Sequence, residues 1–378
     1  MTFILLDAIV IPAAIPSDAA EQAAFAQLVT TVVANPKAKP GTYCHHGLPL
    51  VHHAVRTGNV AALHLLAQHG VSLTKPFRDT VDGTPARHTL TPLEEALLRH
   101  DIGMVTALFD AGLDRKILDQ HDMDKPPYRA LLRAPTEPTI GLVDALLEQV
   151  SHLSPGKEDE LAGAMVTGFV RWKLSYHALT DHLLNRIRST TARQRVAADA
   201  LNVMTGSLPR NLFPSYHRFV PIFLNAGAFV DGHGDEGVHG HVMCELLIRM
   251  KPSANRERTL DLMLAHKPNL HAEVSLSSYR GGWMTPFVLA IRSGDRALIE
   301  RFIAAGALTD GRFETVLEQI ALNPGCLTGL DEKGRHAFAH VQQRIVEEEA
   351  RVLAAAVEEA LAAQATPASV PARARARL

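Results

Sequence analysis

The chain has 378 residues, enough for two or three globular units or one extended array. At 47% hydrophobic and 21% charged it is too apolar to be wholly disordered. Lys plus Arg number 38 against 40 Asp plus Glu, the net charge is −2 and aromatics are 5%, so neither bulk charge nor base stacking supports nucleic-acid binding.

Residues 3 to 15 are mostly apolar, but Asp7 and Pro12 interrupt them and no Lys or Arg precedes Lys37. A secretory signal needs a positive segment ahead of its apolar core, and none is present. No later stretch reaches the roughly 18–20 apolar residues of a membrane span. Cys44, Cys244 and Cys326 are an odd set, too few for a disulfide framework, and suit a reducing compartment. The expectation is a soluble cytoplasmic protein without membrane contact, or one exported by a non-Sec route. Asp18-Ala19-Ala20-Glu21 then opens an amphipathic helix with Phe25, Leu28, Val29 and Val32 on one face, stopped by Pro36 and Pro40. Residues 1–47 are read as an N-terminal segment whose helix caps the apolar side of the segment that begins at Leu48.

Three later segments align without gaps. Leu50-Val51-His52-His53-Ala54-Val55 is followed by Gly58, Leu63, Leu65-Leu66 and Gly70. Thr91-Pro92-Leu93-Glu94-Glu95-Ala96-Leu97 is followed by Val105, Leu108-Phe109 and Gly112. Thr285-Pro286-Phe287-Val288-Leu289-Ala290-Ile291 is followed by Gly294, Leu298-Ile299, Phe302-Ile303 and Gly306. Thr91 and Thr285 stand where an N-cap hydroxyl accepts from free N–H groups, and Pro92 and Pro286 follow at the first helical position. Glu94 completes a capping box with Thr91. Ala54, Ala96 and Ala290 keep the first helix thin, and the glycines suit the left-handed residue that ends each helix. These segments resemble the ankyrin repeat, with its Thr-Pro-Leu-His-x-Ala start and two glycines.

Second-helix ends recur at Gly70, Gly112, near Ser151, near Arg188, Gly227, near Lys267 and Gly306, a spacing of about 40 residues against about 33 in the regular unit. The predicted architecture is therefore all-α: an α-solenoid of about seven ankyrin-like helix-turn-helix units over residues 48–311. The surplus residues fall in loops such as Thr74 to Leu90, Asp231 to His239 and His271 to Met284. Units near 125–151 and 158–190 lack the Thr-Pro start and the terminal glycine. A generic α-hairpin solenoid, with Gly163-Ala164-Met165-Val166 and Trp172 as core of another geometry, stays open for them. Residues 312–365 are read as a short closing helix near Val316–Leu322 and a long helix from His336 to Ala365. The long helix has a narrow stripe of Phe338, Val341, Ile345, Val352 and Leu353, and packing along the array is favoured over pairing with another chain. Residues 366–378, which include Ala372-Arg373-Ala374-Arg375-Ala376-Arg377, are read as a disordered basic tail.

Twenty histidines raise the question of metal. The densest cluster is His233-Gly234-Asp235-Glu236 with His239 and His241, in a glycine-rich loop with no CxxC or HExxH partner. The second is Cys44-His45-His46 with His52-His53, in which His52 holds the repeat's own histidine position and is expected to bond the neighbouring loop. Both clusters are read as structural, with no metal and no cofactor. No Walker sequence, GxSxG elbow or GxGxxG fingerprint occurs, and no span of about 100 residues is left for a catalytic domain.

The resemblance implies a non-enzymatic scaffold that binds a partner protein on the concave face. Matching positions of the first helices direct His53, Arg56, Glu95, Arg99 and Arg292 toward that face. The finger before Thr285 adds Tyr279, Arg280 and Trp283, since aromatic and Arg side chains dominate interface energies. An Ala/Arg/Leu-rich composition with divergent units resembles bacterial ankyrin proteins, which implies a host-directed effector or the partner of a toxin. The alternative is a metal-dependent hydrolase built on the His233–His241 loop.

Overall fold

A computed structural model describes residues 18–365 except 79, 82–83, 86–88, 120–121, 135, 173–174, 207–215, 230–241, 250–251, 273, 276–282 and 310–331. The expected short helix near Val316–Leu322, the basic tail, Cys326 and the His233–His241 loop lie outside the described residues. The chain is mostly helical, with sixteen α-helices and three two-residue β-ladders among the described residues. None of these helices is long and apolar enough to cross a membrane. Two compact units divide after Phe229.

In the first unit, α1 (Ala19–Ala34) starts where its sequence predicts. The Asp18 carboxylate accepts the Glu21 N–H at 2.7 Å, and Phe25, Val29 and Val32 are buried with Leu28 half-buried. Next come β1 (Cys44–His45) and β2 (Leu48–Pro49), antiparallel, with His45 opposite Leu48. The two residues between them, His46 and Gly47, have φ of +48° and +77°. Paired positive φ values belong to the tight hairpin turn whose twist matches that of the strands.

Helix pairs come next. They are α2 (Leu50–Thr57) with α3 (Val60–Gln68), α4 (Pro92–Leu98) with α5 (Ile102–Asp110), and α6 (Arg129–Arg133) with α7 (Ile140–Ser151). β3 (Thr80–Val81) and β4 (Thr84–Pro85) form a second ladder in the α3–α4 connection. The Thr91 capping box is complete: the Thr91 hydroxyl accepts the Glu94 N–H and the Glu94 carboxylate accepts the Thr91 N–H. Gly58 ends α2 with φ +69° and sends its N–H to the Val55 carbonyl. Helices of five to nine residues are too short to stand alone, so packing must hold them. α2, α4 and α6 pack in one row, and α1, α3, α5 and α7 in a second. The α1 helix thus lies on α3 at the start of the second row.

The unit continues with α8 (Lys157–Arg171), α9 (His177–Arg186), α10 (Thr190–Gly206) and α11 (Tyr216–Asn225). α10 has no counterpart in the sequence reading, because its Ala- and Arg-rich run carries neither a strong apolar stripe nor a terminal glycine of the repeat type. It packs along α8 at Gly163, where a Cβ would sit 2.7 Å from Val196 Cγ2. Replacing a helical Gly by Ala ordinarily gains about 0.5–1 kcal/mol. Here the overlap is with a β-branched side chain that has few rotamers, and overpacking costs about 1–3 kcal/mol. Gly163→Ala is therefore expected to destabilise the first unit, as a lower urea midpoint at unchanged m-value.

The second unit contains α12 (Val242–Arg249), α13 (Ala254–Ala265), the ladder β5 (Val274–Ser275) with β6 (Trp283–Met284), α14 (Pro286–Arg292), α15 (Arg296–Ala304) and α16 (Glu332–Ala365). The Thr285 hydroxyl caps α14 by accepting the Val288 N–H at 3.2 Å. α14 packs against α12, α15 and α16. Arg301 on α15 donates to Asp261 at 2.8 Å and to Glu257, tying α15 to α13. The stripe of the long helix is buried only in its first part: Val341 and Ile345 are covered, whereas Val352 and Leu353 are exposed at 47% and 67%, contrary to the expected packing. Length explains the difference. A 34-residue helix spans about 51 Å and the nine-residue α15 about 14 Å, so the C-terminal half of α16 runs on past its support.

Candidate functional site

The first turn of α4 places two adjacent carboxylates, Glu94 and Glu95, near the positive end of a helix. Both are buried, and they turn to opposite neighbours. Glu95 Oε2 lies 2.8 Å from His52 Nδ1, and Glu95 Oε1 accepts Arg56 Nε–H at 2.5 Å, so Glu95 joins α4 to α2. Glu94 Oε1 accepts Arg129 Nε–H at 2.6 Å and joins α4 to α6. A second guanidinium N–H of Arg129 donates to the Thr89 carbonyl at 2.9 Å. His52 Nε2 lies 3.0 Å from the Lys75 carbonyl, which is the bond to the neighbouring loop expected of this position. The result is a polar seam inside the α2–α4–α6 row.

This seam corrects the expected binding face. His53 and Glu95 are 0% and 1% exposed, and the Arg56 side chain is 5% exposed, so none of the three side chains is offered to a partner. Every residue of α4 is buried, as is all of α2 except Arg56. The physical cause is coverage: α2 is packed by α3, α4, the β1–β2 hairpin and the turn at Pro40–Thr42, leaving no open flank. Arg99 and Arg292, at the ends of α4 and α14, remain half-exposed. Burial pulls the Arg99 guanidinium below its ordinary value against the attraction of Glu95. Tyr279 and Arg280 lie outside the described residues. Trp283 is described by its backbone alone, in β6.

The structure also splits the second histidine cluster. His52 joins the seam, while His53 turns the other way and meets His45, His46 and Glu21. Neither ring nitrogen of His53 has a hydrogen-bond partner, a cost of about 1–3 kcal/mol for each buried group. Burial first, then the neighbouring His45 and His46, push its imidazole down to about 4. Hydrogen bonds from His45 and His46 hold the Glu21 carboxyl below the usual carboxylate range. Sequence reasoning misses Glu21: it is on α1, separated from His45 by 24 residues, and only the folded chain brings them together.

A third feature, also unread in the sequence, is an open groove of about 1080 Å³ along α8 and α10. Gly163, Ala164 and Gly168, small residues on α8, line it together with Trp172. Met165 and Val166, from the same stretch, are core. The lining carries the carboxylates of Asp122, Asp124, Asp159, Glu160 and Asp199 against the guanidiniums of Arg171 and Arg195, so the groove is acidic. The chain matches no protein-family model and no curated protein.

Proposed function

We propose that the chain is a non-enzymatic scaffold of stacked ankyrin-like helix pairs that holds a partner protein, of the bacterial effector or toxin-partner kind that its composition suggests. The observation that carries this reading is the order of its parts. Short ladders stand ahead of α2, α4 and α14, the first helices of the three matching segments, as fingers stand ahead of the helices in the ankyrin unit. The α2–α4–α6 and α3–α5–α7 rows are what repeat stacking produces. Since the first helices are buried, the reading places contacts in the first unit at its fingers, Arg99 and the acidic groove, and in the second unit, separately, at Arg292 and the finger before α14.

An acidic groove suits a basic segment of the partner, and complementary charge acts mainly on association rate and salt dependence. Full-length chain should capture a partner that is lost with Trp283→Ala or Arg99→Ala at unchanged melting temperature. Charge reversal in the groove, Asp124→Lys with Asp199→Lys, is expected to weaken capture by about tenfold at low salt, an effect that shrinks as salt screens it. Retention of the partner by all three variants would remove the assigned surface. Hydrolytic turnover lost on His239→Ala with His241→Ala would replace the scaffold by an enzyme.

A further inference from the structure

We propose that Glu21, His45, His46 and His53 form a structural zinc site that fastens α1 to the first helix pair. One nitrogen from each imidazole and one Glu21 oxygen lie within 4.8 Å of one another. From Glu21 Oε1, His45 Nε2 is at 2.9 Å, His46 Nε2 at 3.0 Å and His53 Nε2 at 4.0 Å. With metal–nitrogen bonds of about 2.0–2.1 Å, neighbouring donors of a tetrahedron are about 3.3 Å apart. The observed separations straddle that value, so side-chain shifts of under about 1 Å close the shell around a cation.

The donors come from three elements. Glu21 is in the first turn of α1, held by the Asp18 cap. His45 ends β1 and His46 occupies the hairpin turn with positive φ, a conformation uncommon outside Gly, Asn, Asp and His. His53 projects from α2. Phe25 forms a dry wall, with its ring 4.2 Å from that of His53 and 5.5 Å from that of His45.

His53 is the second, independent sign of a ligand. A fully buried imidazole normally pairs both nitrogens, yet His53 pairs neither and faces a carboxylate across a gap too long for a hydrogen bond. A metal ion in that gap would give His53 Nε2 the partner it lacks. Three imidazoles with one carboxylate favour zinc over magnesium or calcium, which take oxygen shells. Four protein donors complete the tetrahedron and leave no position for a reactive water, so the role is structural. This departs from the expectation that the cluster is metal-free, and it is independent of the scaffold reading.

The test uses the full chain, stripped with chelator and reloaded with Zn²⁺ or Co²⁺. The expected result is one zinc per chain by metal analysis, the intense visible bands of tetrahedral Co²⁺, and a higher melting temperature with zinc. His53→Phe keeps an aromatic ring in the pocket and removes the unpaired nitrogens. It should weaken zinc binding by more than the roughly 10–100-fold that loss of an outer-shell partner costs, while the melt in chelator is unchanged or higher. A histidine that merely packs would not separate those readouts. His46→Asn, at an exposed turn position that Asn favours, should lose affinity with the fold intact. His239→Ala with His241→Ala should leave the site untouched. Absence of stoichiometric zinc, or zinc binding undiminished in both His53→Phe and His46→Asn, would overturn the assignment.

Discussion

Glu95→Ala is expected to lower the unfolding free energy of the first unit by about 3–5 kcal/mol, read as a fall in urea midpoint or in the melting temperature followed by circular dichroism. The size reflects the charges that the substitution leaves behind. Arg56 and His52, with side chains 5% and 2% exposed, both address this one carboxylate. Its removal takes a counter-charge from a buried guanidinium and an acceptor from a buried imidazole, which costs far more than the net worth of an ion pair in water. Glu95→Gln keeps the shape and one acceptor oxygen, so its loss should be smaller. Replacing His52, Arg56 and Glu95 together by apolar residues of similar volume should come close to neutral. If Glu95→Ala instead melted like the wild type, the polar seam would not be part of the packed row.

The second large effect is expected at Phe25. Its ring is fully buried and lies against His53 and His45, and Val29 and Val32 follow it on the same face of α1. Truncating a buried Phe costs about 3–5 kcal/mol through lost transfer energy and the cavity left behind. Because α1 packs on α3 at one end of its row among the described residues, the loss shows first as local opening. Phe25→Ala should therefore expose the α1 amides to hydrogen exchange and speed proteolysis near Ala34 before it moves the global transition. Protection of α1 equal to that of the wild type would show that Phe25 does not anchor the helix.

How much of the fold and site can be read from the chain alone depends on how local the physics is. The Thr91–Glu94 box, the Asp18 cap and the Gly58 helix end involve residues three or four apart, so the residue types suffice to place them. The His52 bond to the Lys75 carbonyl is legible because the resemblance assigns that position a role. Burial of His53, Arg56 and Glu95 is not, because it depends on the β1–β2 hairpin and the Pro40–Thr42 turn closing on α2 and on the Glu95 contacts from α4 to α2. A repeat pattern carries no account of these added contacts. α10 escapes notice for want of punctuation. The overhang of α16 is invisible because its apolar stripe runs on past the point where its short partners stop.

The opposed carboxylates of α4 bear on whether the helix pairs of the α2–α4–α6 row are interchangeable cassettes. Cutting out α4 and α5 as one module would delete both anions and leave Arg56 and Arg129 as successive cations along the fused row. The row is thus spliced by charge as well as by shape. Shortening it by a unit requires rewriting a basic residue on each side of the junction.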